Sequence, residues 1–162
     1  TRRSSDLMSD EDFIVHAKPY FEELQDIGPE SYPLMIEMLK PRITKFGQIP
    51  EKLSYVNDLP DYDPELFDHK KSKSSAESAK TVLDHSVPIL QNLSQWTAEA
   101  ILTALTDLAE GLDVKKSAVM WPVRIAVTGM PVTPGGAVEA LLLLGRDRSL
   151  YRITKSLQRL NS

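Results

Sequence analysis

The sequence predicts an all-α protein made of two small helical subdomains. Apolar residues recur at spacings of three and four along most of the 162 residues, which is the period of a helix with one buried face. The alternation of apolar and polar residues that marks a half-buried strand is nearly absent. Glycine and proline separate the periodic segments, as expected where helices end and turns begin.

The first subdomain is expected over residues 1–62 and contains three helices. Ser9, followed by Asp12 three residues later, predicts the start of a helix that runs to about Leu24. Pro19 lies inside that span and predicts a kink or a break. A second helix follows Gly28-Pro29, and a short third helix follows Pro50. The side chains expected to face the core are Phe13, Ile14, Ala17, Phe21, Leu24, Leu34, Met35, Met38, Leu39, Ile43, Leu53 and Val56.

Residues 63–75 differ from the rest and are predicted to be a connector. They combine acidic residues and a proline with a run of lysine and serine at 70–75, and they offer few apolar residues to a core. No nucleotide-binding fold is expected around these lysines, so the run is interpreted as a solvated linker. Some local structure is expected only near Leu66 and Phe67.

The second subdomain is expected over residues 76–162. Helices are predicted at about 76–93 and 97–112, the latter starting at Thr97 as its N-cap. Shorter helical segments follow near 117–128, 134–144 and 146–160, with glycines at the joints. Thr133 is predicted to be the N-cap of the second of these, with Pro134 at its first position. In the last helix the leucines and Ile153 are expected to point inward, and Arg152, Lys155 and Arg159 outward.

Catalysis and metal binding have few residues to build on, and no catalytic or metal-binding residue is assigned. His16, His69 and His85 are far apart in the sequence, and the absence of cysteine excludes disulfides and thiolate metal sites and fits a reducing cytosol. Residues 129–136 lack the preceding strand and the following Lys-Ser/Thr of a phosphate-binding loop. No apolar run approaches the length of about 18 residues that indicates a membrane span.

Charge is distributed unevenly along the chain. Residues 1–113 carry 11 Lys and Arg against 21 Asp and Glu, whereas residues 114–162 carry 8 against 2. A basic end on an acidic body favours a protein with one face that meets a polyanion. An ordinary solvated helical surface is the alternative interpretation.

The C-terminal third resembles the end of bacterial glutamyl-tRNA synthetases in the order and spacing of many residues. The matched positions are Pro122, Arg124, Ala126, Thr128, Gly129, Thr133, Pro134, Gly135, Leu143, Leu144, Gly145, Arg148, Leu150 and Arg152. Upstream, Gln95-Trp96-Thr97 resembles the Trp-Thr helix start of that family. Leu39-Lys40-Pro41-Arg42 and Ile49-Pro50-Glu51-Lys52 resemble its Pro-Arg motif and the Pro-Glu-Lys that follows. The resemblance extends from about Met8 to the end of the chain.

The resemblance implies a two-part helical cage that receives the anticodon loop of glutamate tRNA. It also implies a longer, monomeric, cytoplasmic ligase whose N-terminal catalytic domain uses ATP and Mg²⁺, which agrees with a start at Thr1 rather than at an initiator Met. Without that domain, this chain is expected to have no cofactor and no ligase activity of its own. It is not expected to contact DNA or a membrane.

The same resemblance suggests which residues meet the anticodon. Arg42 matches the arginine that contacts the third anticodon base in the enzymes that discriminate against glutamine tRNA, although a surface salt bridge is the alternative for this residue. Thr133 and Pro134 match the turn that meets the first anticodon base, and Arg124 matches a basic residue near the loop. Gly136 stands where the family often has a Leu, so that apolar contact with the first base would be absent unless Val138 replaces it.

Trp96 and Trp121 are candidates for stacking on a base, which contributes about 1–3 kcal/mol per base. A tryptophan buried at a helix junction is the alternative for both. Two other functions remain open for the chain as a whole. A helical protein–protein interaction module would not depend on nucleic acid, and a helical DNA-binding domain would prefer duplex DNA to tRNA.

Overall fold

The structure is a computed structural model that describes residues 8–162. Within this range the chain is helical and has no strand, so the predicted all-α class is confirmed. Residues 8–162 contain eight α-helices: α1 Asp10–Phe21, α2 Tyr32–Leu39, α3 Ile49–Lys52, α4 Ser54–Asn57, α5 Ala76–Gln91, α6 Ala98–Gly111, α7 Lys116–Thr128 and α8 Ala137–Asn161. Short 3₁₀ turns lie at Pro29–Ser31, Phe46–Gln48 and Pro64–Phe67.

Helix α1 begins as predicted and ends earlier than predicted. The Ser9 hydroxyl accepts a hydrogen bond from the backbone N–H of Asp12 at 3.2 Å, which satisfies one of the free donors at the helix start. The helix continues through Pro19 to Phe21, so the chain does not break at the proline. A backbone bond from Glu22 to Lys18 closes the last turn, and Leu24 lies outside the helix.

The buried apolar side chains form one cluster that includes residues on both sides of 63–75. Phe13, Phe21, Met35 and Leu39 contribute to it from the first part of the chain, and Leu83 and many others from the second. Helix α8 packs against α5 and α7, and α7 also packs against α6. The division into subdomains at 63–75 therefore stays a prediction, because the two parts share a core.

Residues 63–75 pack closely against α5 and α7. The 3₁₀ turn at Pro64–Phe67 contacts both helices, and Phe67 is 1% exposed. The indole N–H of Trp121 on α7 donates to the Leu66 carbonyl at 2.8 Å. Reciprocal backbone bonds between His69 and Ser74 then close a tight turn, whose lysines are exposed.

Helix α8 consists of two helical parts that meet at Gly145. Its φ of 82° and ψ of 168° are not helical and lie in a region that essentially only glycine occupies. Glycine permits this break because it has no Cβ. The predicted joint between the segments near 134–144 and 146–160 is confirmed.

The prediction that Arg152 points outward is wrong. Arg152 is 6% exposed, and its Nη1 donates to the carbonyl oxygens of Tyr55 and Val127, each at 2.7 Å. These carbonyls lie at the C-terminal ends of α4 and α7, where helices leave acceptors without an intrahelical partner. Helical periodicity did not reveal this role, because a guanidinium is buried when such acceptors surround it. Lys155 and Arg159 are exposed, as predicted.

Candidate nucleic-acid interface

Arg42 lies three residues after the end of α2, in a turn that keeps its side chain at the surface. Its backbone N–H donates to the Leu39 carbonyl at 2.9 Å, and its Nη1 donates to the Met38 carbonyl at 3.2 Å. The guanidinium thus lies at the C-terminal end of α2, which favours a positive charge. Within the described part of the chain Arg42 pairs with no carboxylate, so the salt bridge considered as its alternative role is absent there.

The turn between α7 and α8 starts at a left-handed glycine. Gly129 has a φ of +65° and ends α7, and its backbone N–H donates to the Ile125 carbonyl at 2.8 Å. The Thr128 hydroxyl then accepts from the N–H of Met130 at 3.1 Å. A Cβ at Gly129 would lie 2.9 Å from Pro60 Cγ, so this turn packs directly on the segment after α4.

The prediction that Thr133 caps the next helix is wrong. Helix α8 begins at Ala137, and the backbone N–H of Gly136 donates to the Glu139 carboxylate at 2.9 Å. The buried Thr133 hydroxyl instead donates to the Gly135 carbonyl at 3.1 Å. Gly135 has a φ of +78°, and this turn separates Pro134 from the helix. Both Thr133 and Pro134 are therefore fixed in a buried turn before α8.

Arg124 reaches this turn from the middle of α7. Its Nη1 donates to the Pro131 carbonyl at 3.2 Å, and a Cβ at Gly136 would lie 3.7 Å from its Nη2. Burial lowers the pKa of Arg124, the nearby Glu139 carboxylate raises it, and the charge of Arg42 lowers it further. The two arginines therefore lie close enough to repel each other, and the Glu139 carboxylate offsets part of this repulsion at Arg124.

Two hollows adjoin Arg42. The turn hollow, of about 420 Å³, is lined by Pro41, Arg42, Glu51, Lys52, Met130, Val132, Thr133 and Pro134. The helix hollow, of about 330 Å³, is lined by Leu34, Glu37, Met38, Arg42, Ala98, Gly135, Val138, Glu139 and Leu142. The turn hollow combines apolar walls with two cations and one carboxylate, and the helix hollow combines them with one cation and two carboxylates. Such a lining can hold a flat apolar ring and also bond to donors and acceptors on its edge.

The structure brings five of the six predicted site residues together. Arg42, Thr133 and Pro134 line the turn hollow. Gly136 follows in the same turn before α8, and the Arg124 guanidinium reaches it from α7. Trp96 lines neither hollow. Its indole N–H donates to the Leu141 carbonyl at 2.9 Å, and the Arg146 guanidinium lies 5.4 Å from its ring centre.

Trp121, the other stacking candidate, has one ring face covered. The His69 ring is parallel to it, with ring centres 3.7 Å apart. Together with its hydrogen bond to Leu66, this stacking makes Trp121 part of a helix junction. Any binding of a base by either tryptophan stays a prediction.

Sequence reasoning missed the carboxylates of the site. Glu37 and Glu139 line the helix hollow, and Lys52 adds a cation to the turn hollow. A signal for Glu139 was present in the sequence. It lies three residues after Gly136, the position from which a glutamate bonds back to the N-cap backbone of a helix.

Metal ligands and membrane spans were also sought in residues 8–162. That part of the chain contains no group of three or more His, Asp or Glu side chains arranged to hold a metal ion. None of its helices combines the length and the apolar character that crossing a membrane requires. His16 stacks on Phe46 and His85 bonds to the Thr81 carbonyl, so these two histidines have separate local contacts.

Comparison with known proteins gives consistent matches. The family described as anticodon binding domain matches residues 12–157. A glutamate–tRNA ligase of Clostridium novyi is 36% identical over 156 residues, which are 94% of this chain and 32% of the relative. A glutamate–tRNA ligase of Clostridium tetani is 32% identical over 158 residues, with coverages of 96% and 32%. The chain thus spans about a third of the length of these curated relatives.

Solved structures match the fold. A crystal structure of a glutamate tRNA ligase from Elizabethkingia meningosepticum superposes with a TM-score of 0.79 at 22% identity, over 96% of this chain and 30% of the other. A glutamate–tRNA synthetase from Elizabethkingia anophelis gives a TM-score of 0.72 at 22% identity, over 94% and 29%. At this level of identity the likeness concerns the fold alone.

Proposed function

The chain belongs to the family of anticodon-binding domains, and on this premise we propose that it is the anticodon-reading part of a glutamate–tRNA ligase. The chain corresponds to about a third of the relatives that carry that name. The remaining part of such a ligase would hold the catalytic domain, where ATP and Mg²⁺ serve the attachment of glutamate to tRNA. The role proposed for the present residues is to bind the anticodon loop.

The observation that carries this proposal is the position of Arg42 between the two hollows. Its guanidinium has five N–H donors and no acceptor, and it lies at a surface edge shared by both hollows. A glutamate anticodon ends in cytosine, whose pairing edge offers the O2 and N3 acceptors to such a group. A glutamine anticodon ends in guanine, whose N1 and N2 donors would oppose it. Leaving a buried donor unpaired costs about 1–3 kcal/mol, which predicts discrimination of about one to two decades.

The turn hollow would receive another base of the loop. Thr133 and Pro134 fix its wall, and Arg124 and Lys52 add positive charge for the phosphates that accompany an unstacked base. Val132 is 76% exposed and would supply an apolar surface on which a base ring can pack. Because Gly136 has no side chain, Val132 or Val138 would make the apolar contact at this end of the loop.

Binding of the chain to glutamate tRNA, measured beside a copy whose third anticodon base is changed from C to G, tests this function. We expect the native anticodon to bind more tightly by about ten-fold or more, in keeping with one unpaired donor. The Arg42→Ala variant should erase that difference. The matched control is Lys45→Ala, which removes an exposed cation three residues further along the chain and should keep the difference.

Three results would contradict the proposal. Equal binding of both tRNAs by the unsubstituted chain, falling steeply with salt, would leave only a non-specific polyanion surface. Absence of binding at low salt would instead favour a protein–protein interaction module. Tighter binding of duplex DNA than of tRNA would favour the DNA-binding alternative.

A further inference from the structure

The C-terminal half of α8 presents a stripe of one aromatic and two basic side chains. Tyr151, Lys155 and Arg159 are spaced by four residues, so they lie on the same face of the helix, about 6 Å apart along its axis. All three side chains are exposed, and Tyr151 is 63% exposed. A tyrosine ring so open to solvent has no role in the core of this chain.

A hollow of about 480 Å³ is lined by this stripe and by the segment 57–62. The half-buried Arg148 and the buried Arg152 lie along its inner side. Arg148 donates to the Val56 carbonyl at 2.7 Å, and Arg152 donates to Tyr55 and Val127. These hydrogen bonds go to neutral carbonyls, and among the described residues neither arginine forms an ion pair. The Asp58 and Asp61 carboxylates also line the hollow, and Asp58 acts on the charge of Arg152, but the cations Arg148, Arg152, Lys155 and Arg159 outnumber them. The hollow therefore has fixed positive charge behind the exposed stripe.

The stripe itself contains cations that can be reached from solvent. The Lys155 ammonium lies 5.6 Å from the centre of the Tyr151 ring and, among the described residues, has no carboxylate partner. The Arg159 guanidinium lies 4.9 Å from the centre of the Tyr62 ring. It also pairs with Asp61 at 3.4 Å, but that carboxylate is 97% exposed, so solvent and salt weaken the pair.

The hollow beside α8 adjoins the turn hollow, where the anticodon loop is proposed to bind, through residues 129–130. Gly129 packs on Pro60 and Tyr62, and both of these line the hollow. The next residue, Met130, lines the turn hollow and contacts the Ser54 hydroxyl. A ligand seated at Thr133 and Pro134 would thus continue towards the stripe after passing only this short segment.

We propose that the face formed by Tyr151, Lys155 and Arg159 binds the sugar–phosphate backbone of the tRNA beside its anticodon loop. The inference rests on the proposed function, which supplies the RNA at the adjoining site. Cations spaced along a helix suit a row of phosphates, and an exposed tyrosine ring packs on a sugar or a base. Reading of sequence is not expected here, because phosphate contacts fix position and carry no base identity directly.

The double variant Lys155→Gln/Arg159→Gln tests this inference through the salt dependence of tRNA binding. Each phosphate that a cation neutralises contributes about 0.7–0.9 to the slope of log affinity against log salt concentration. Because the variant lacks two of these cations, the magnitude of its slope should be smaller by about 1.5. It should leave the ratio of affinities for the native and the C-to-G anticodon unchanged, because Arg42 is intact. Lys155→Arg should retain the slope, and Asp61→Asn should raise affinity by freeing Arg159.

A charge-matched control is available elsewhere on the chain. Lys18 on α1 and Lys80 on α5 line none of the hollows named above, and Lys18→Gln/Lys80→Gln removes the same charge. If this control lowers the slope as much as the α8 variant does, the effect is one of net charge and the inference is wrong. Competition by polyglutamate as strong as that by tRNA would overturn it in favour of an acidic protein partner.

The ratio of affinities for the native and the C-to-G anticodon distinguishes failure of the anticodon-reading proposal from failure of the α8 proposal. If the unsubstituted chain binds both anticodons equally and its slope still depends on Lys155 and Arg159, anticodon reading is refuted and RNA binding by α8 is supported. If the chain discriminates between the anticodons but Lys155→Gln/Arg159→Gln has the same slope as Lys18→Gln/Lys80→Gln, anticodon reading is supported and the α8 surface is refuted. The melting temperature of each variant confirms that it folds, and Lys155→Gln alone provides a milder change.

Discussion

The guanidinium of Arg152 donates to the backbone carbonyl oxygen of Tyr55 at 2.7 Å, although 97 positions separate the two residues. The same nitrogen reaches the Val127 carbonyl at 2.7 Å. Arg152 therefore joins the last helix to the ends of both α4 and α7. Since Arg42 belongs to the first part of the chain and the turn at Thr133 to the second, this contact helps to set the two parts of the candidate site relative to each other.

Replacing Arg152 with Met should destabilise the protein. The variant leaves the Tyr55 and Val127 carbonyls without their donor, and we expect a loss of about 2–4 kcal/mol in the free energy of unfolding. Urea denaturation, followed by circular dichroism, measures it. Lys155→Met on the exposed face of the same helix serves as the control and should change the free energy by less than about 0.5 kcal/mol. Equal midpoints for the two variants would contradict this structural role of Arg152.

Alanine at Gly129 and at Gly136 should have different effects. At Gly129 the positive φ is unfavourable for alanine, and the new Cβ would lie 2.9 Å from Pro60 Cγ and 3.1 Å from the Pro60 carbonyl oxygen. We expect destabilisation by about 2 kcal/mol or more, from backbone strain and the required shift of the chain. Gly136 has an extended φ of −112°, and its new Cβ would meet only the end of the Glu139 side chain at 3.3 Å and of Arg124 at 3.7 Å.

Gly136→Ala should therefore change stability by no more than about 1 kcal/mol in either direction. Thermal unfolding of both variants beside the unsubstituted chain tests the pair. The prediction fails if Gly136→Ala is the more damaging of the two, because the backbone at Gly136 would then need glycine after all.

Removing the hydroxyl of Thr97 should weaken α6. This hydroxyl accepts a hydrogen bond from the backbone N–H of Ala100 at 3.2 Å, and loss of such a cap costs about 1 kcal/mol. Thr103→Ala, an exposed position inside the same helix, should leave stability equal or slightly higher because alanine favours the helix. Chemical denaturation curves of Thr97→Ala and Thr103→Ala that coincide would show that the cap contributes nothing.

Stability should fall at alkaline pH because of Tyr55. Burial raises the pKa of its hydroxyl, the Glu139 charge raises it further, and Arg152 lowers it in part. A folded-state pKa above the unfolded value of about 10 means that this contribution to stability is complete below about pH 10 and is lost as the pH rises above it. Burial also raises the pKa of Tyr62, with the same sign.

The free energy of unfolding should therefore be lower at about pH 10.5 than at about pH 8, and the difference should be smaller in Tyr55→Phe. Some decrease should persist in that variant because Tyr62 is retained. A pH dependence identical in Tyr55→Phe and the unsubstituted chain would exclude Tyr55 as its source.

Much of the fold and part of the site could be predicted from local patterns. Ser9 and Thr97 have side chains that bond to the helix start immediately after them, so sequence spacing alone identifies both caps. Thr133 followed by Pro134 fits the same pattern but does not cap α8. Gly135, which has a positive φ, and Gly136 lie between Pro134 and the start of the helix. The Glu139 carboxylate accepts from the backbone N–H of Gly136 instead.

The helical class, most helix starts and the joints at Gly129 and Gly145 could be read from the amino-acid sequence alone. These features depend on residues within a few positions of one another, because helix periodicity, capping and positive φ are local properties. The folded chain was needed to show that Arg152 is buried, that residues 63–75 pack on α7, and that the hollow beside α8 adjoins the turn. Those outcomes depend on carbonyl acceptors and apolar surfaces that come from distant parts of the chain, which no local pattern records.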